Sequence, residues 1–452
     1  MSTSPEISAL LGLITTSATS IDAVYATSPA PLPSLDSTTP HPLDVRWDAT
    51  LRENLRILQG ACTQLIATLS PPVCTMVDRA QGVVCERACL DVVVSCKIPD
   101  ILKAGPKEGI PVSEIARTAG IEQGKLERIM RYLATTHVFR EVKQGVFANN
   151  RLSVQLLEEN PAWACTKYSM SEKTRAGVAL LPTLLDPVKG PSHEQNHAPW
   201  CTAHDWTRTP FDWYSETEEG RKAAEVFGRY MVAFGQAVGT AAVATEYPWH
   251  ALPAGTTVCD VGSGIGAVTL ELAKAHPGLK LILQDMPGVL QYAKDETWPK
   301  EAPEAIAEGR VEFLPMDFFK ESPKEGCDFY FLKAILHDWN DERCTDILKL
   351  IRKVMKPTSR VLINEHLLRP ATSSYDSNTT IASPTALKPA PAPLLSNAGR
   401  QRLYNLDITM LVLLNSKERF AHEYTQIGEK AGLKLEKIWE TGDACVLEFA
   451  PV

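Results

Sequence analysis

Short apolar runs alternate with amphipathic segments over the C-terminal half of this chain. The apolar runs are 257–261, 279–283, 311–314, 329–332 and 360–364. Amphipathic segments with helical spacing lie between them, notably at 267–275 and 341–355. Strands that alternate with helices predict an α/β fold with a doubly wound, Rossmann-like parallel sheet. Two more apolar runs, 435–439 and 445–449, flank Gly442 and predict a closing antiparallel hairpin.

Between residues 50 and 240 the apolar positions recur with helical spacing. The segment 112–134 predicts two helices joined by a turn at Gly120, and a short hairpin around Gly145 follows. Ser113 is a candidate cap for the first helix. This order of elements is typical of a winged helix, so we expect a mostly helical N-terminal domain that contains one.

Two segments are too poor in large apolar residues to form a core. Residues 1–48 contain a short amphipathic stretch at 7–14 and then a Pro-, Ser- and Thr-rich stretch, which predicts an extension and a linker. Residues 370–399 are rich in Pro and interrupt a regular pattern. We expect a disordered surface insertion there.

Charge and cysteine usage limit the compartment and the partners. The 452 residues carry a formal net charge of −8, and segment 111–134 holds four basic and three acidic residues. Because nucleic-acid binding needs clustered Lys and Arg, we expect packing or dimerisation rather than DNA binding from the winged helix. No uninterrupted apolar run approaches the ~20 residues that span a bilayer, so no membrane partner is expected. Eleven Cys without a CxxC pair indicate free thiols and a cytoplasmic protein.

Three glycines, Gly262, Gly264 and Gly266, follow the first apolar run and precede a helix. Such a loop lets the main chain turn tightly and approach a nucleotide-type cofactor, although a simple strand-to-helix turn has the same pattern. The spacing is G-x-G-x-G and differs from the dinucleotide fingerprint. Asp260 before the glycines disfavours a pyrophosphate and suits a cationic cofactor such as S-adenosylmethionine.

Further acidic residues end the next two strands. Asp285 follows the second strand, where a carboxylate can accept hydrogen bonds from both ribose hydroxyls. Asp317 follows the third strand and could bind an adenine amino group beside the ring of Phe318. Parallel strands bring their carboxyl ends to one edge of the sheet, so these side chains predict a cofactor site there.

A candidate general base lies just past the fourth strand. His337 is next to Asp338 and four residues after Lys333, and Glu365 ends the fifth strand. Glu418 follows later, before a helix. A His with carboxylates that orient its ring can accept the proton of a phenol, whose pKa is about 10. Surface salt bridges would explain the two glutamates equally well from spacing alone.

These segments together resemble a known family. DVGSGIG, LQDMP, PMDFF, FLKAILHDWND, NEHLL and SKER follow in order the pattern of S-adenosylmethionine-dependent O-methyltransferases of the caffeic acid and hydroxyindole type. The likeness covers about residues 50 to 450 and extends to that family's N-terminal winged-helix dimerisation domain. The Pro-rich N-terminus and the insertion suggest a fungal member. Ser263 replaces the second glycine of the family's usual DVGGG.

The resemblance implies a role for each matched residue. The cofactor-binding residues would be Gly262, Gly264, Asp285, Asp317, Phe318, Lys333 and Asp338. His337 would be the catalytic base, framed by Glu365 and Glu418. Phe227 and Met231 match positions that contact substrate and cofactor.

The resemblance also implies a domain organisation. The expected parts are an extension and linker at 1–48, a dimerisation domain at 49–180, a connecting region that contributes to the substrate pocket at 181–250, and a catalytic domain at 251–452.

The leading hypothesis is a homodimeric enzyme that methylates a phenolic hydroxyl of a small aromatic secondary metabolite without a metal. Two alternatives stay open at this point. Some relatives bind the cofactor but catalyse a non-methylating reaction, such as a pericyclic one. A winged-helix DNA-binding regulator with the cofactor domain as a sensor is the other, and the charge count disfavours it.

Overall fold

The computed structural model describes residues 4–44, 48–372 and 389–452 of the chain. The chain forms two compact units. The first comprises Met1–Asp186 and Pro199–Ala237, and the second comprises Pro187–Ala198 and Val238–Val452. The region 181–250, expected to form a connection, is therefore divided between the two units. Most of the insertion expected at 370–399 lies outside the described residues.

The first unit is mostly helical. Its helices are α1 (Pro5–Ala26), α2 (Ala49–Leu69), α3 (Pro72–Ser95), α4 (Ile98–Ala104), α5 (Val112–Ala119), α6 (Gln123–Thr135), α7 (Pro161–Tyr168), α8 (Thr174–Val178), α9 (Leu180–Leu185), α10 (Pro199–His204), α11 (Pro210–Glu216) and α12 (Glu218–Val238). One π-helical turn, Ser169–Lys173, joins α7 to α8.

Helix α1 is longer than the amphipathic stretch predicted at 7–14. A buried stripe with helical spacing, which includes Leu10 and Ile21, packs α1 against α2. By length and composition alone, α1 is long and apolar enough to cross a membrane. The expectation based on uninterrupted apolar runs missed this because Ser and Thr interrupt the apolar sequence of the helix. Core helices of soluble proteins and signal sequences meet the same criterion.

The helices and hairpin predicted between 112 and 148 are present. Gly120 ends α5 in the left-handed conformation with φ +70°, and α6 follows. Strands β1 (Ile110–Pro111), β2 (Arg140–Lys143) and β3 (Val146–Ala148) form a small sheet in the order β1-β3-β2. The prediction for Ser113 is wrong, because α5 starts at Val112 with no side-chain cap.

The second unit is built on a seven-stranded sheet. Its strands are β4 (Thr257–Val261), β5 (Lys280–Asp285), β6 (Val311–Pro315), β7 (Phe329–Lys333), β8 (Arg360–Glu365), β9 (Leu433–Thr441) and β10 (Ala444–Pro451). They are ordered β6-β5-β4-β7-β8-β10-β9. Strands β4 to β8 are parallel, and β10 pairs antiparallel with both β8 and β9. The predicted doubly wound sheet with a closing antiparallel hairpin is confirmed.

Helices cover both faces of this sheet, which explains why its parallel strands are apolar along their length. They are α13 (Val243–Glu246), α14 (Ala267–Ala275), α15 (Pro287–Tyr292), α16 (Trp298–Glu301), α17 (Pro303–Ala307), α18 (Asp341–Arg352), α19 (Gln401–Leu414) and α20 (Ala421–Lys430). One core packs Ile347 and Ile427 against the sheet, and a second core packs Leu272 and Trp298. The order reverses between β4 and β7, so their carboxyl ends flank the usual ligand crevice.

Candidate active site

The predicted glycine loop leaves β4 and enters α14. Gly262, Gly264 and Gly266 have φ values of +74°, +57° and +82°, which disfavour any side chain. A Cβ on Gly262 would lie 2.5 Å from Cδ1 of Ile335. A Cβ on Gly264 would meet nothing within 4 Å among the described atoms. The main chain at Gly264 therefore borders open space that a ligand can approach closely.

Two aspartates lie at the ends of the strands beside this loop. The carboxylate of Asp285 accepts hydrogen bonds from the N–H groups of Gly264 and Met286, each at 2.7 Å. Burial raises the pKa of Asp285, although these hydrogen bonds oppose the shift. Asp260 is buried under α14, where it accepts a hydrogen bond from the hydroxyl of Thr269. Burial raises the pKa of Asp260 to about 7.

The third predicted aspartate is engaged elsewhere. Asp317 follows β6, and its carboxylate lies 2.7 Å from Nζ of Lys320, which lowers the pKa of Asp317. The ring of Phe318 packs edge-on against Phe319 and Trp339. Asp317 and Phe318 both lie at the expected edge of the sheet. The strand pattern in the sequence did not predict the ion pair of Asp317 with Lys320.

His337 lies on a short 3₁₀ turn, Leu336–Asp338, directly after β7. Ala334, between β7 and this turn, has a φ of +53°, a left-handed conformation that residues other than glycine seldom adopt. Lys333 is the last residue of β7. Burial lowers the pKa of its side chain, although the negative charges of Glu365 and Asp260 act in the opposite direction. Lys333, a predicted cofactor residue, and His337, the predicted base, thus lie at the same edge of the sheet.

Three carboxylates surround the ring of His337. Its Nδ1 atom lies 2.7 Å from Oε1 of Glu418 and 3.7 Å from Oε2 of Glu365, and its Nε2 atom lies 3.4 Å from Oδ1 of Asp338. Burial alone would lower the pKa of His337, but these carboxylates outweigh it and raise the pKa to about 10. Burial raises the pKa of Glu365 to about 7 and that of Asp338 to about 6.

The two glutamates have different roles in the geometry. Oε1 of Glu365 accepts hydrogen bonds from the main-chain N–H groups of Ile335, Leu336 and His337 at 3.0, 2.9 and 3.4 Å. Glu418 instead binds the imidazole ring directly. The sequence suggested that both would frame the ring, and only Glu418 makes a hydrogen bond to it.

The side chains of His337, Glu365 and Glu418 offer ligand atoms that lie within 4.8 Å of one another and could hold a metal ion. In each glutamate the second carboxylate oxygen is buried and has no hydrogen-bond partner in the described part of the chain. The donor set of one imidazole and two carboxylates suits a divalent cation. That the reaction needs no metal stays a prediction.

Two neighbours of Glu418 were missed by the sequence reasoning. The hydroxyl of Ser416 donates to the carbonyl of His337 at 2.6 Å, and Arg419 is fully buried against the same turn. Only their position in the sequence could have indicated them, because Ser416 and Arg419 lie on either side of Glu418 in the SKER motif. A fully buried Arg needs partners, and the sequence did not say which.

Phe227 and Met231 lie on α12 in the first unit. The ring of Phe227 packs against the rings of Tyr168 and Tyr214, at centroid distances of 5.3 and 5.6 Å. These contacts belong to an aromatic cluster inside that unit. The predicted contacts of Phe227 and Met231 with substrate stay predictions.

The sheet with its antiparallel hairpin and the glycine loop on β4 define the Rossmann-like methyltransferase fold. The family model for an O-methyltransferase domain matches residues 184–434, and that for an O-methyltransferase dimerisation domain matches residues 80–159. The chain belongs to the O-methyltransferase family. It is therefore an enzyme, as the sequence predicted.

Two relatives that align with most of the chain are fungal. The chain is 37% identical to 3-O-methyltransferase 2 of Phanerochaete chrysosporium over 448 residues, which covers 98% of this chain and 97% of the relative. It is 36% identical to O-methyltransferase gedA of Aspergillus terreus, with 85% and 83% of the two chains covered. The predicted resemblance to a fungal member of the family is confirmed.

Solved structures show the same fold. Mitomycin 7-O-methyltransferase MmcR matches with a TM-score of 0.65 and 25% identity, over 87% of this chain and 100% of the other. A structure titled "A Pericyclic Reaction enzyme" matches with a TM-score of 0.68 and 19% identity, over 89% and 95%. At such identity the second likeness extends to the fold alone.

Proposed function

We propose that this O-methyltransferase transfers a methyl group from S-adenosylmethionine to a phenolic hydroxyl of a small aromatic metabolite, with His337 as the general base. The observation that carries the proposal is the buried contact between His337 and Glu418. When Nδ1–H donates to Glu418, the lone pair of Nε2 is left to accept a proton. In the described residues, Nε2 makes no hydrogen bond of its own.

The pKa of the base supports this substrate class. The pKa of His337 is about 10, and that of an unperturbed phenol is also about 10. Below pH 10 the neutral imidazole is the minor form of His337. From that form, proton transfer from a phenol of equal pKa has no large free-energy penalty, and an aryloxide is a far better nucleophile than a phenol. An aliphatic alcohol holds its proton much more tightly and would not be deprotonated by this group.

The residues at the sheet edge fit the proposed cofactor. The open space at Gly264 and the carboxylates of Asp260 and Asp285 suit a ligand with positive charge and ribose hydroxyls. S-Adenosylmethionine supplies an electrophilic methyl group on a cationic sulfur. The residues proposed to hold it are Gly262, Gly264, Asp285, Asp317, Phe318, Lys333 and Asp338.

The working form is proposed to be a cytoplasmic homodimer with no nucleic-acid or membrane partner. Helix α3 exposes the side chains of Val73, Met76 and Val84 at 75, 63 and 68%. Exposed apolar side chains on one helix are typical of a surface that another chain covers. Because the dimerisation-domain match begins at residue 80 on the same helix, a second copy is the proposed partner.

The test is methyl transfer from labelled S-adenosylmethionine to a panel of phenols and aliphatic alcohols, with EDTA present. We expect transfer to phenols only, and His337→Ala should reduce turnover by about 10²-fold or more. His250→Ala, which removes an exposed histidine of the same unit, is the control and should retain full turnover.

Each contrary outcome corrects a different part of the proposal. Full turnover by His337→Ala would remove the base assignment. Loss of turnover with EDTA, restored by a divalent cation, would make the cluster of His337 and the two glutamates a metal site. Consumption of a substrate without the mass of one added methyl group would favour the non-methylating alternative.

A further inference from the structure

The turn that carries His337 is held by side chains on several sides. Its N–H groups at 335–337 donate to Glu365, as described above. Its carbonyl groups bind other residues: that of His337 accepts from Ser416 at 2.6 Å, and that of Asp338 accepts from Nε2 of Gln195 at 2.5 Å. Within the described part of the chain, the turn makes only two main-chain hydrogen bonds of its own, from Asp338 to Ile335 and from Trp339 to Leu336, and side chains supply partners for its other buried polar groups.

Arg419 makes the largest set of these contacts. Its guanidinium donates to the carbonyls of Leu336 at 2.8 Å and Trp339 at 2.6 Å, and Nε donates to Oδ1 of Asp341 at 2.9 Å. The side chain is fully buried, and its planar group lies over the ring of Tyr424. Three acceptors therefore fix all three nitrogens of the guanidinium group.

These contacts place His337 between two anchored carbonyls. Leu336 precedes His337 and Trp339 follows it by two residues, so the guanidinium spans the turn that sets the direction of the imidazole. Arg419 is also the immediate neighbour of Glu418, whose carboxylate binds Nδ1. One short segment thus holds both the main chain of the base and its ring.

We propose that Arg419 is the positioning residue of the catalytic base, because it sets the distance and direction between His337 and Glu418 through the carbonyls of Leu336 and Trp339. The inference rests on the proposed function, in which His337 accepts the substrate proton. Only a planar group with several donors in a fixed geometry can bridge these acceptors. Lysine would keep the charge but could not bridge them.

The test compares Arg419→Lys with wild type in the full-length enzyme. We expect kcat to fall by about 10-fold or more, because a small misplacement of a catalytic group is costly. The KM for S-adenosylmethionine should change much less than kcat, because most of the proposed cofactor residues lie outside the turn that Arg419 holds. In protein labelled with ¹⁵N-histidine, the His337 resonance, assigned by its absence from His337→Asn, should titrate at lower pH than in wild type.

Arg352→Lys is the matched control. Arg352 also bridges two main-chain carbonyls of the second unit, those of Gly432 and Val452, at 3.1 and 2.8 Å, but on α18 away from the turn. It should leave kcat and the His337 titration unchanged. Ser416→Ala is a second, smaller change, which removes a hydrogen bond to the carbonyl of His337, and it should shift both readouts in the same direction as Arg419→Lys.

The outcomes separate this proposal from the proposed function. An unchanged kcat and an unchanged His337 titration in Arg419→Lys would overturn the positioning role, as would equal effects of Arg352→Lys. If Arg419→Lys does not fold, Ser416→Ala decides on the same two readouts. If the wild type transfers no methyl group, the proposed function fails, while the titration of His337 still tests the positioning role.

Discussion

Nδ1 of His337 lies 2.7 Å from Oε1 of Glu418, although 81 residues separate them in the chain. Direct pairing of two segments produces this contact. Leu367, just after β8, forms a parallel bridge with Arg419, and the N–H of Leu368 donates to the carbonyl of Arg419 at 3.0 Å. His337 and Glu418 therefore meet through described residues on both sides of the insertion.

Glu418→Gln should move the pH dependence of the reaction to lower pH. The carboxylates raise the pKa of His337 to about 10, so kcat/KM in wild type should increase with pH up to that value. Removing one negative charge next to the ring disfavours the imidazolium, which should lower this midpoint by about 1–3 pH units. Glutamine keeps the acceptor oxygen, so the ring stays oriented.

The measurement is a profile of kcat/KM between pH 6 and 11. Glu429→Gln, which removes an exposed carboxylate on α20, should leave the midpoint unchanged. An unmoved midpoint in Glu418→Gln would mean that another group limits the rate at low pH.

Gly264→Ala should weaken cofactor binding more than it weakens the fold. A Cβ there meets no protein atom within 4 Å, so the folded state bears only the strain of a positive φ, about 1–2 kcal/mol. The same Cβ occupies the space proposed for the cofactor, and we expect Kd to increase by about tenfold or more. Calorimetric titration with S-adenosylhomocysteine measures this.

Gly326→Ala is the control, because Gly326 has φ +72° and equally open surroundings outside the glycine loop. Gly326→Ala should lose about as much stability as Gly264→Ala but keep the wild-type affinity for S-adenosylhomocysteine. Equal affinities of the two variants would place the cofactor away from Gly264.

Asp260→Asn should increase stability at pH 8 but not near pH 4. Burial raises the pKa of Asp260 from 3.8 to about 7, so this group favours folding below its unfolded pKa and loses that contribution as pH rises through 7. A shift of about three pH units corresponds to about 4 kcal/mol at most. Asparagine can still accept the hydrogen bond from Thr269.

Thermal unfolding at a series of pH values tests this prediction. Asp328→Asn should behave in the opposite way: despite partial burial, Lys356 and Thr257 lower the pKa of Asp328, whose stabilisation is present at neutral pH and lost in acid. If the gain of Asp260→Asn does not depend on pH, ionisation of Asp260 is not its cause.

Val84→Glu should weaken the proposed dimer. A buried, unpaired charge in an apolar interface is costly, so the dissociation constant should increase by about 100-fold or more. Sedimentation equilibrium measures the change. Val142→Glu, at an exposed position of β2, is the control and should leave the association unchanged. A monomeric wild type would contradict the proposed homodimer outright.

Local patterns in the sequence predicted much of the second unit. Strand β4 and helix α14 have the predicted bounds, and the other strands differ from prediction by a few residues at their ends. These elements were readable because a buried parallel strand is apolar throughout and a covering helix is apolar on one face. The glycine loop and His337 were readable for a related reason, since both follow directly from the end of a strand.

The length of α1 was harder to predict. Its buried stripe includes Ser17 as well as Leu10 and Ile21, and Thr and Ser interrupt the apolar pattern. Only packing against α2 shows which of its residues form a face. The start of α5 also depends on tertiary contacts. Strand β1 pairs with β3 up to Pro111, so the helix begins at Val112 and Ser113 lies inside it, where it cannot act as the cap.

Residues close together in the chain were enough to predict the order of strands and helices, the glycine loop, the candidate base and the family. Other features became visible only in the folded chain: Glu365 binds the turn while Glu418 binds the ring, Asp317 pairs with Lys320, and Arg419 joins Leu336 to Trp339. Each of these depends on which donors and acceptors the folded chain brings within hydrogen-bond distance after burial removes water as a partner.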